Sequence, residues 1–410
     1  MGILVQKFGG SSMGTAARRE QVVGHILEAK AAGYECVVVV SAMGRSGDPY
    51  ATDTLLQLVD EGTHMASREL DLLMSCGEII SATVLAQKLS KSGEKATALT
   101  GGQAGIITDS VYGSAKIVEV KPEKIHHALQ VGVIPVVAGF QGRTSDGEIT
   151  TLGRGCGDTS AVALGVALKA EMVEIYTDVD GVMTADPRIE PNARRLETVT
   201  YREIAEMAHL GAKVIHPRAV EIAMEGHIPL RIRATGSSSP GTMVQGVGGQ
   251  VEIRGDRTVT GIAHIGGMVQ VQLQTAADFN QSELGLAIFR DLAKAGISLD
   301  MIYVSPNRIS FILEKHWAAR AQAVLADFPV EVKIEPGMAK VSVVGAGMRG
   351  VPGVMAQVVA ALHGAGVNIL QTTDSHANIS CLVREGEVEA AVQALHGQFE
   401  LGGSDKTLWE

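Results

Sequence analysis

Residues 4–12 have the sequence Leu-Val-Gln-Lys-Phe-Gly-Gly-Ser-Ser, which predicts a short apolar strand that ends in a glycine turn. The glycines at 9 and 10 allow the backbone to approach a ligand closely and to turn its N–H groups toward an anion. A helix predicted after Gly14 would direct its N-terminus at the same point, and Lys7 adds a positive charge. The stretch predicts a polyphosphate site, and taken alone it also fits an ordinary turn with a surface lysine.

The turn does not have the spacing of a Walker loop, because G-x-x-x-x-G-K-[ST] is absent here. The order of strand, lysine, two glycines and two serines resembles instead the N-terminus of the amino-acid kinase family. Within that family, Lys-Phe-Gly-Gly-Ser-Ser is most similar to aspartate kinases. The resemblance implies that ATP is bound by Lys7, Phe8, Gly9 and Gly10, with Lys7 as a catalytic residue.

The composition excludes several classes of partner. The chain has 410 residues, a formal net charge of −10 and no run of five basic residues, whereas nucleic-acid binding relies on a cationic surface. The apolar run 36–43 is too short to span a membrane, and charged residues interrupt the first twenty positions, where a signal peptide needs an apolar core. The four cysteines are scattered without a C-x-x-C pair, which is typical of reduced thiols in a cytoplasmic protein.

Residues 1 to about 235 alternate predicted strands with predicted helices, which indicates a layered α/β domain with a mainly parallel sheet. Ligands of such sheets gather at the loops that leave the carboxyl ends of the strands. A polar, glycine-rich stretch at 234–249 marks the expected boundary, so the first domain is predicted at 1–245. Its predicted strands are 3–7, 36–41, 96–100, 134–138, 172–176 and 230–232, and its predicted helices are 17–32, 65–90, 122–131, 158–168, 201–210 and 218–225.

The second half contains an internal repeat, because residues 295–313 align without a gap with residues 365–383. Two copies of a strand–helix–strand–strand–helix unit are therefore predicted. The pattern resembles tandem ACT domains, ferredoxin-like α+β modules that bind free amino acids, here expected at 259–336 and 337–410 with the first strand able to pair with the second module. The resemblance implies an effector (lysine, threonine or diaminopimelate) and a homodimer or higher homo-oligomer through these modules. Residues at strand–helix junctions that fit either effector contacts or turns are Asp278, Asn368 and Asn378.

A dinucleotide-like motif, Gly345-Ala-Gly-Met-Arg-Gly350, lies inside the second copy of the repeat. Only 60 residues follow it, which is too few for a complete nucleotide-binding sheet. A dehydrogenase is therefore the weakest alternative, and a titration with NADH would test it.

Residues 151–161, Thr-Leu-Gly-Arg-Gly-Cys-Gly-Asp-Thr-Ser-Ala, form the second strong motif. Arg154 can hold a carboxylate through two parallel hydrogen bonds. Asp158 can cap the helix that begins there, or it can position Lys7 or Mg²⁺. The segment resembles Gly-Arg-Gly-Gly-Ser-Asp of aspartate kinases, with Cys156-Gly157 in place of Gly-Ser, so a hydroxyl of that motif is missing.

Residues 176–188 leave a predicted strand and turn twice, and they match the nucleotide loop of the amino-acid kinase family. Gly211–Pro217 matches a further family segment whose lysine faces ATP, whereas His216 there is more typical of a structural residue. The resemblance assigns to the ATP pocket Thr177, Asp178, Met183, Thr184, Ala185, Asp186, Pro187, Arg188 and Lys213.

Three more residues are candidates for contacts to the substrate or its phosphate. Glu78 lies in a helical run, where it would hold an ammonium in a cleft or remain a solvated glutamate. Ser41 closes the second predicted strand, and Thr52 follows a Gly/Pro loop.

Together these motifs cover nearly the whole chain. They imply ATP- and Mg²⁺-dependent phosphorylation of the side-chain carboxylate of L-aspartate, the first step toward lysine, threonine and methionine, under feedback by an end product. A non-catalytic ACT sensor and a kinase for another amino-acid carboxylate, such as glutamate, remain the alternatives.

Overall fold

The computed structural model describes residues 2–59, 65–153, 155–212, 214–246, 258–275, 283–348 and 350–403. The chain divides into two compact units, and the division does not follow one boundary in the sequence. The first unit comprises Met1–Val182, Arg195–Ala208 and Lys213–Glu252. The second unit comprises Met183–Arg194, His209–Ala212 and Ile253–Glu410.

The described part of the first unit contains an eight-stranded sheet and a four-stranded sheet. Its strands are β1 (Ile3–Phe8), β2 (Glu35–Val40), β3 (Ala96–Leu99), β4 (Ile106–Thr108), β5 (Ile117–Val120), β6 (Ile134–Ala138), β7 (Gln141–Arg143), β8 (Ile149–Thr151), β9 (Met172–Thr177), β10 (Thr198–Thr200), β11 (Leu230–Ala234) and β12 (Thr242–Gln245). Its helices are α1 (Gly10–Met13), α2 (Ala16–Ala31), α3 (Thr52–Leu56), α4 (Ser67–Lys91), α5 (Glu123–Gln130), α6 (Gly157–Ala167), α7 (Tyr201–His209) and α8 (Pro217–Glu225).

The large sheet has the order β10-β12-β11-β9-β1-β2-β6-β3, and only the β11–β12 pair is antiparallel. Its central strands are rich in buried β-branched residues, as expected for strands covered on both faces. One face packs on α2 and α4 through a core that includes Phe8, Val38 and Leu85. The predicted mainly parallel α/β architecture is confirmed.

The small sheet has the order β5-β4-β7-β8 and was not predicted from the sequence. Its strands have only three or four residues each, so they show no clear period. The β7–β8 hairpin leads directly into the Gly-Arg-Gly motif.

The described part of the second unit contains a six-stranded antiparallel sheet of order β14-β15-β13-β16-β18-β17. Its strands are β13 (Gly261–Gln274), β14 (Asp300–Ser305), β15 (Arg308–Glu314), β16 (Glu331–Val344), β17 (Gln371–Asp374) and β18 (Asn378–Arg384), and its helices are α9 (Glu283–Lys294), α10 (Ala318–Leu325), α11 (Val354–Gly364) and α12 (Val388–Gln398).

The internal repeat appears in this sheet as a local two-fold relationship. Met268 lies opposite Met338, its counterpart in the repeat, on the β13–β16 ladder, and both pack with the counterpart pair Ile312 and Leu382. Residues 261–265 of β13, at the start of the expected first module, pair with residues 340–344 of β16, which fall in the expected second module. In the described part of the chain, no helix combines the length and apolar character that crossing a bilayer requires.

Candidate active site

Lys7 and Asp158 form an ion pair at the carboxyl edge of the large sheet. Lys7 Nζ lies 2.7 Å from Asp158 Oδ1, and the two side chains are only 12% and 9% exposed. Asp158 lies in the first turn of α6 but does not cap it, because the N-cap residue is Cys156. Instead, its other oxygen, Oδ2, accepts a hydrogen bond from the His216 backbone N–H at 3.1 Å. The carboxylate is therefore held on two sides and fixes the ammonium of Lys7.

The glycine turn after β1 packs tightly against the loop after β2. A Cβ added to Gly10 would lie 2.5 Å from the carbonyl oxygen of Gly44 and 2.9 Å from that of Ala42, so only glycine fits there. The Gly9 N–H donates to the Tyr176 carbonyl, and α1 begins at Gly10. An anion at this point would be bound by the N–H groups at the start of α1 and by the charge of Lys7.

Gly157 brings a third loop to the same point. A Cβ added to it would lie 3.2 Å from Lys7 Cε and 3.1 Å from Ser41 Oγ. The structure therefore brings Lys7, Ser41, Gly157 and Asp158 together. The sequence had placed them in separate motifs.

Glu78 is a buried carboxyl group on α4, 3% exposed. Its Oε1 accepts a hydrogen bond from the Ala42 N–H at 3.1 Å, while Oε2 has no hydrogen-bond partner among the described residues. Burial raises the pKa of Glu78 to about 8, although the hydrogen bond from Ala42 acts in the opposite direction. The solvated alternative for this glutamate is wrong, and the unpartnered oxygen suits a cationic group of a ligand.

Gly77 explains how α4 carries Glu78 so close to the loop after β2. A Cβ at this position would lie 2.8 Å from Ala42 Cβ and 3.0 Å from the Tyr50 carbonyl oxygen. Thr52, the first residue of α3, is half-buried two residues farther along that loop.

Thr177 and Asp178 follow β9 in the first unit. Thr177 donates a hydrogen bond to Asp178 Oδ1, and Arg45 forms a 2.5 Å ion pair with Asp178 Oδ2. Arg45 was not among the residues predicted from the sequence, although it lies in a glycine-rich loop after a buried strand. Met183, Thr184, Ala185, Asp186, Pro187 and Arg188 belong to the second unit, where Arg188 pairs with Asp186 at 2.6 Å.

Three predicted residues, Arg154, Lys213 and Asp278, lie outside the described residues. Of the other effector candidates, Asn368 is exposed in the loop between α11 and β17, and Asn378 is the buried first residue of β18.

Two residues near the site were missed by sequence reasoning. Asp71 on α4 is fully buried and accepts hydrogen bonds from the Gly113 N–H and from both the N–H and the hydroxyl of Thr151. Phe140 has a left-handed backbone with φ 67°, which a residue with a bulky side chain rarely adopts, and its N–H donates to Ser160 Oγ. For Asp71, the only signal in the sequence was an aspartate within an apolar helix. For Phe140, the sequence carries no signal.

Cys156 stands where the aspartate-kinase motif has a glycine. Its Sγ lies 3.6 Å from His216 Nε2, and His216 Nδ1 accepts a hydrogen bond from the Arg218 N–H as the N-cap of α8. Burial raises the pKa of the Cys156 thiol, so the group stays protonated. His216 thus makes a structural contact as the cap of α8.

Comparison with known proteins identifies the family. Residues 2–234 match the amino acid kinase family, and residues 333–397 match the ACT domain. The chain is 47% identical to aspartokinase 1 of Bacillus subtilis (strain 168) over 98% of its own length and all of that protein. The chain belongs to the aspartokinase family. The resemblance drawn from the motifs is thereby confirmed, and the chain is a kinase of this family.

Other relatives agree over the full length of this aspartokinase-family chain. The aspartokinase of Mycolicibacterium smegmatis is 40% identical, and the alignment covers 100% of the chain and 98% of that protein. The crystal structure of E. coli aspartokinase III in complex with aspartate and ADP has a TM-score of 0.79 at 24% identity, with 97% and 99% of the two chains covered. At that identity the likeness supports the fold.

Proposed function

We propose that the chain transfers the γ-phosphoryl group of ATP to the side-chain carboxylate of L-aspartate, giving ADP and 4-phospho-L-aspartate. The observation that carries the proposal is the buried 2.7 Å pair of Lys7 and Asp158 beside the glycine turn. The names of the relatives, which are aspartokinases aligned over almost the whole chain, support aspartate as the acceptor.

The acceptor is a carboxylate that is already ionised at neutral pH, so the reaction needs no general base. Catalysis is then a matter of positioning the two substrates and neutralising charge on the transferred group. Lys7 and the N–H group of Gly10 would stabilise the β- and γ-phosphates, whereas the Gly9 N–H, which was also expected in this role, is donated to the Tyr176 carbonyl. Asp158 would orient the Lys7 ammonium, with which it is paired, or the metal ion on the phosphates.

Mg²⁺ would enter with ATP. The described part of the chain holds no group of three or more acidic, histidine or cysteine side chains suited to a metal ion. Mg²⁺ usually keeps several waters and binds through substrate phosphates and one or two carboxylates. Asp158 is the carboxylate suited to that role, and the ion would supply charge neutralisation at the phosphates.

Aspartate would bind between the loop after β2 and α4. The unpartnered Oε2 of Glu78 would receive the substrate ammonium, and Ser41 and Thr52 would contact its carboxylate or the arriving phosphoryl group. Arg154 would hold the second carboxylate. The nucleotide would be bound by Thr177, Asp178, Met183 to Arg188 and Lys213.

The second unit would regulate the enzyme by binding an amino-acid end product, with Asn368, Asn378 and Asp278 as candidate contacts. If that ligand favours a less active state, feedback inhibition follows from linkage. The edge strand β14 exposes Ile302, Tyr303 and Val304, and such an apolar edge suits pairing with a second copy of the chain. A cytoplasmic, homodimeric or larger enzyme is the form that we propose.

Hydroxylamine trapping of the acyl phosphate tests the proposal. The purified chain is incubated with ATP, Mg²⁺ and either aspartate, glutamate or N-acetylglutamate, and each reaction is repeated with lysine, threonine or diaminopimelate. We expect hydroxamate from aspartate alone and inhibition by one additive. A folded protein that binds ATP but yields no hydroxamate from aspartate would overturn the assignment.

A further inference from the structure

Residues 183–194, which we call the strap, follow the first part of the proposed nucleotide loop but fold as part of the second unit. The chain leaves the first unit after Val182 and returns to it at Arg195. Within the second unit, Ala185 of the strap belongs to the apolar core formed by α11, α12 and β16, and Ile189 and Ala193 pack against that core. Six of the residues proposed to bind ATP therefore depend on the second unit for their position.

A buried polar contact ties the strap to α12. Nε2 of His396 lies 3.0 Å from Oγ1 of Thr184, and the two residues are 3% and 0% exposed. Thr184 is held further by its own backbone, because its N–H donates to the Arg194 carbonyl and its carbonyl accepts from the Ile262 N–H. The Arg194 N–H in turn donates to Thr184 Oγ1.

Other contacts hold the far end of the strap to the same helix and to the turn after it. The Gln393 side chain donates to the Ile189 carbonyl at 2.9 Å, and Arg194 Nε donates to the Leu401 carbonyl at 2.9 Å. Glu190 Oε2 lies 4.0 Å from His396 Nδ1. His396 is the member of this set that is both buried and directed at a proposed nucleotide residue.

Burial favours the neutral form of the His396 ring. Burial lowers the pKa of His396 below its ordinary value, Glu190 acts in the opposite direction, and Arg194 lowers it further. A neutral ring has one nitrogen that accepts and one that donates, so it pairs with the Thr184 hydroxyl without a net charge in the core.

We infer that His396 is a positioning residue for ATP, acting through Thr184 to hold the strap in its nucleotide-binding conformation. The inference rests on the proposed function, in which the strap residues Met183 to Arg188 contact the nucleotide. The loss of one buried hydrogen bond at the strap would weaken nucleotide binding on the order of five- to tenfold. The binding of aspartate, whose proposed contacts all lie in the first unit, would not change.

Two substitutions separate this role from a general structural one. His396→Gln places a polar atom near the position of Nε2, whereas His396→Asn places one only near Nδ1. We expect His396→Asn to raise the KM of ATP about five- to tenfold with the KM of aspartate unchanged, and His396→Gln to remain near wild type. ADP binding measured by calorimetry, which needs no turnover, should weaken by the same factor.

The control is His363→Gln, at an exposed position on α11 of the same unit, which should leave both KM values and ADP binding unchanged. The inference is overturned if His396→Asn leaves ADP binding unchanged, or if both KM values and the Tm change together in the Asn and Gln variants alike.

A parallel Arg188→Ala variant tests the proposed function itself. Unchanged ADP binding in that variant removes the strap from the nucleotide site, and the inference with it. Weakened binding there with normal binding in His396→Asn overturns the inference alone.

Discussion

Lys7 on β1 and Asp158 on α6 meet as an ion pair with a 2.7 Å separation, although 151 positions separate them in the chain. Because the pair is nearly buried, removing either partner would leave the other charge uncompensated. The same contact holds the Lys7 ammonium at the glycine turn, next to the N–H groups of the first residues of α1. The pair therefore connects the local geometry of the turn with the charge that phosphoryl transfer requires.

Lys7→Ala should abolish most of the turnover. The loss of one preorganised charge aimed at the transferring group lowers kcat by about 10²–10³. Hydroxamate formation at saturating ATP and aspartate measures the effect. The matched control is Lys30→Ala, which removes a more exposed lysine paired with Glu94 and should leave kcat unchanged. Lys7→Ala protein with wild-type kcat would contradict the role of Lys7.

The pKa of Glu78, raised to about 8 by burial, predicts that aspartate binding releases a proton. Below that pH the empty site holds a neutral carboxyl group, and the ammonium of bound aspartate favours the ionised form. The KM of aspartate should therefore fall as pH rises from 6.5 to 8. Calorimetry in buffers of different ionisation enthalpy counts the released proton, and Glu78→Gln should release none.

The same group makes the stability of the unliganded protein depend on pH. Between the ordinary carboxyl pKa of 4.5 and about 8, the folded state keeps a proton that the unfolded chain has lost. The contribution of Glu78 is therefore lost as pH rises through that window. Glu78→Gln should flatten the dependence of Tm on pH, and an unchanged slope would argue against the raised pKa.

The sequence was sufficient to predict the order of the main elements and the separate halves of the site. Lys7 and Asp158 were selected because each stands in a glycine-rich motif, whereas Glu78 was a candidate in a helical run that also fitted a solvated glutamate. Short strands such as those of the β7–β8 hairpin were not predicted. Three residues are too few to show the alternation or the amino-acid composition that is typical of a strand.

Contacts between distant segments also lay beyond the sequence. Asp71 is buried because Gly113 and Thr151 supply its hydrogen bonds, and no local pattern encodes those partners. The strap was assigned to the first domain by its position in the chain. It packs instead on the second unit, through contacts such as Ala185 in the apolar core and Thr184 with His396, between residues far apart in the sequence.

Asp71→Asn should destabilise the protein by about 1–3 kcal/mol, because an amide cannot accept from all three donors that the carboxylate satisfies. Thr151 begins the segment that leads to Arg154, so the KM of aspartate should rise as well. Chemical denaturation and steady-state kinetics measure the two effects. Asp109→Asn is the control, since Asp109 accepts backbone hydrogen bonds at an exposed site, and its effect on stability should be smaller. Equal effects of the two substitutions would show that the burial of Asp71 has no consequence.

Gly157→Ala should lower kcat without lowering stability. The added Cβ would lie 3.2 Å from Lys7 Cε and 3.1 Å from Ser41 Oγ, so the lysine must move from its place beside Asp158. The backbone gains from the change, because alanine favours helix over glycine by up to about 1 kcal/mol. We expect kcat to fall about tenfold, the effect of roughly 1.4 kcal/mol on the barrier.

The control for Gly157→Ala is Gly24→Ala, because a Cβ at position 24 in α2 meets nothing within 4 Å. That substitution should stabilise the protein by about 1 kcal/mol and leave kcat unchanged. If Gly157→Ala also retains full kcat, the position of Lys7 tolerates a shift of a few tenths of an ångström. The close packing of β1, β2 and α6 around the lysine would then not be required for turnover.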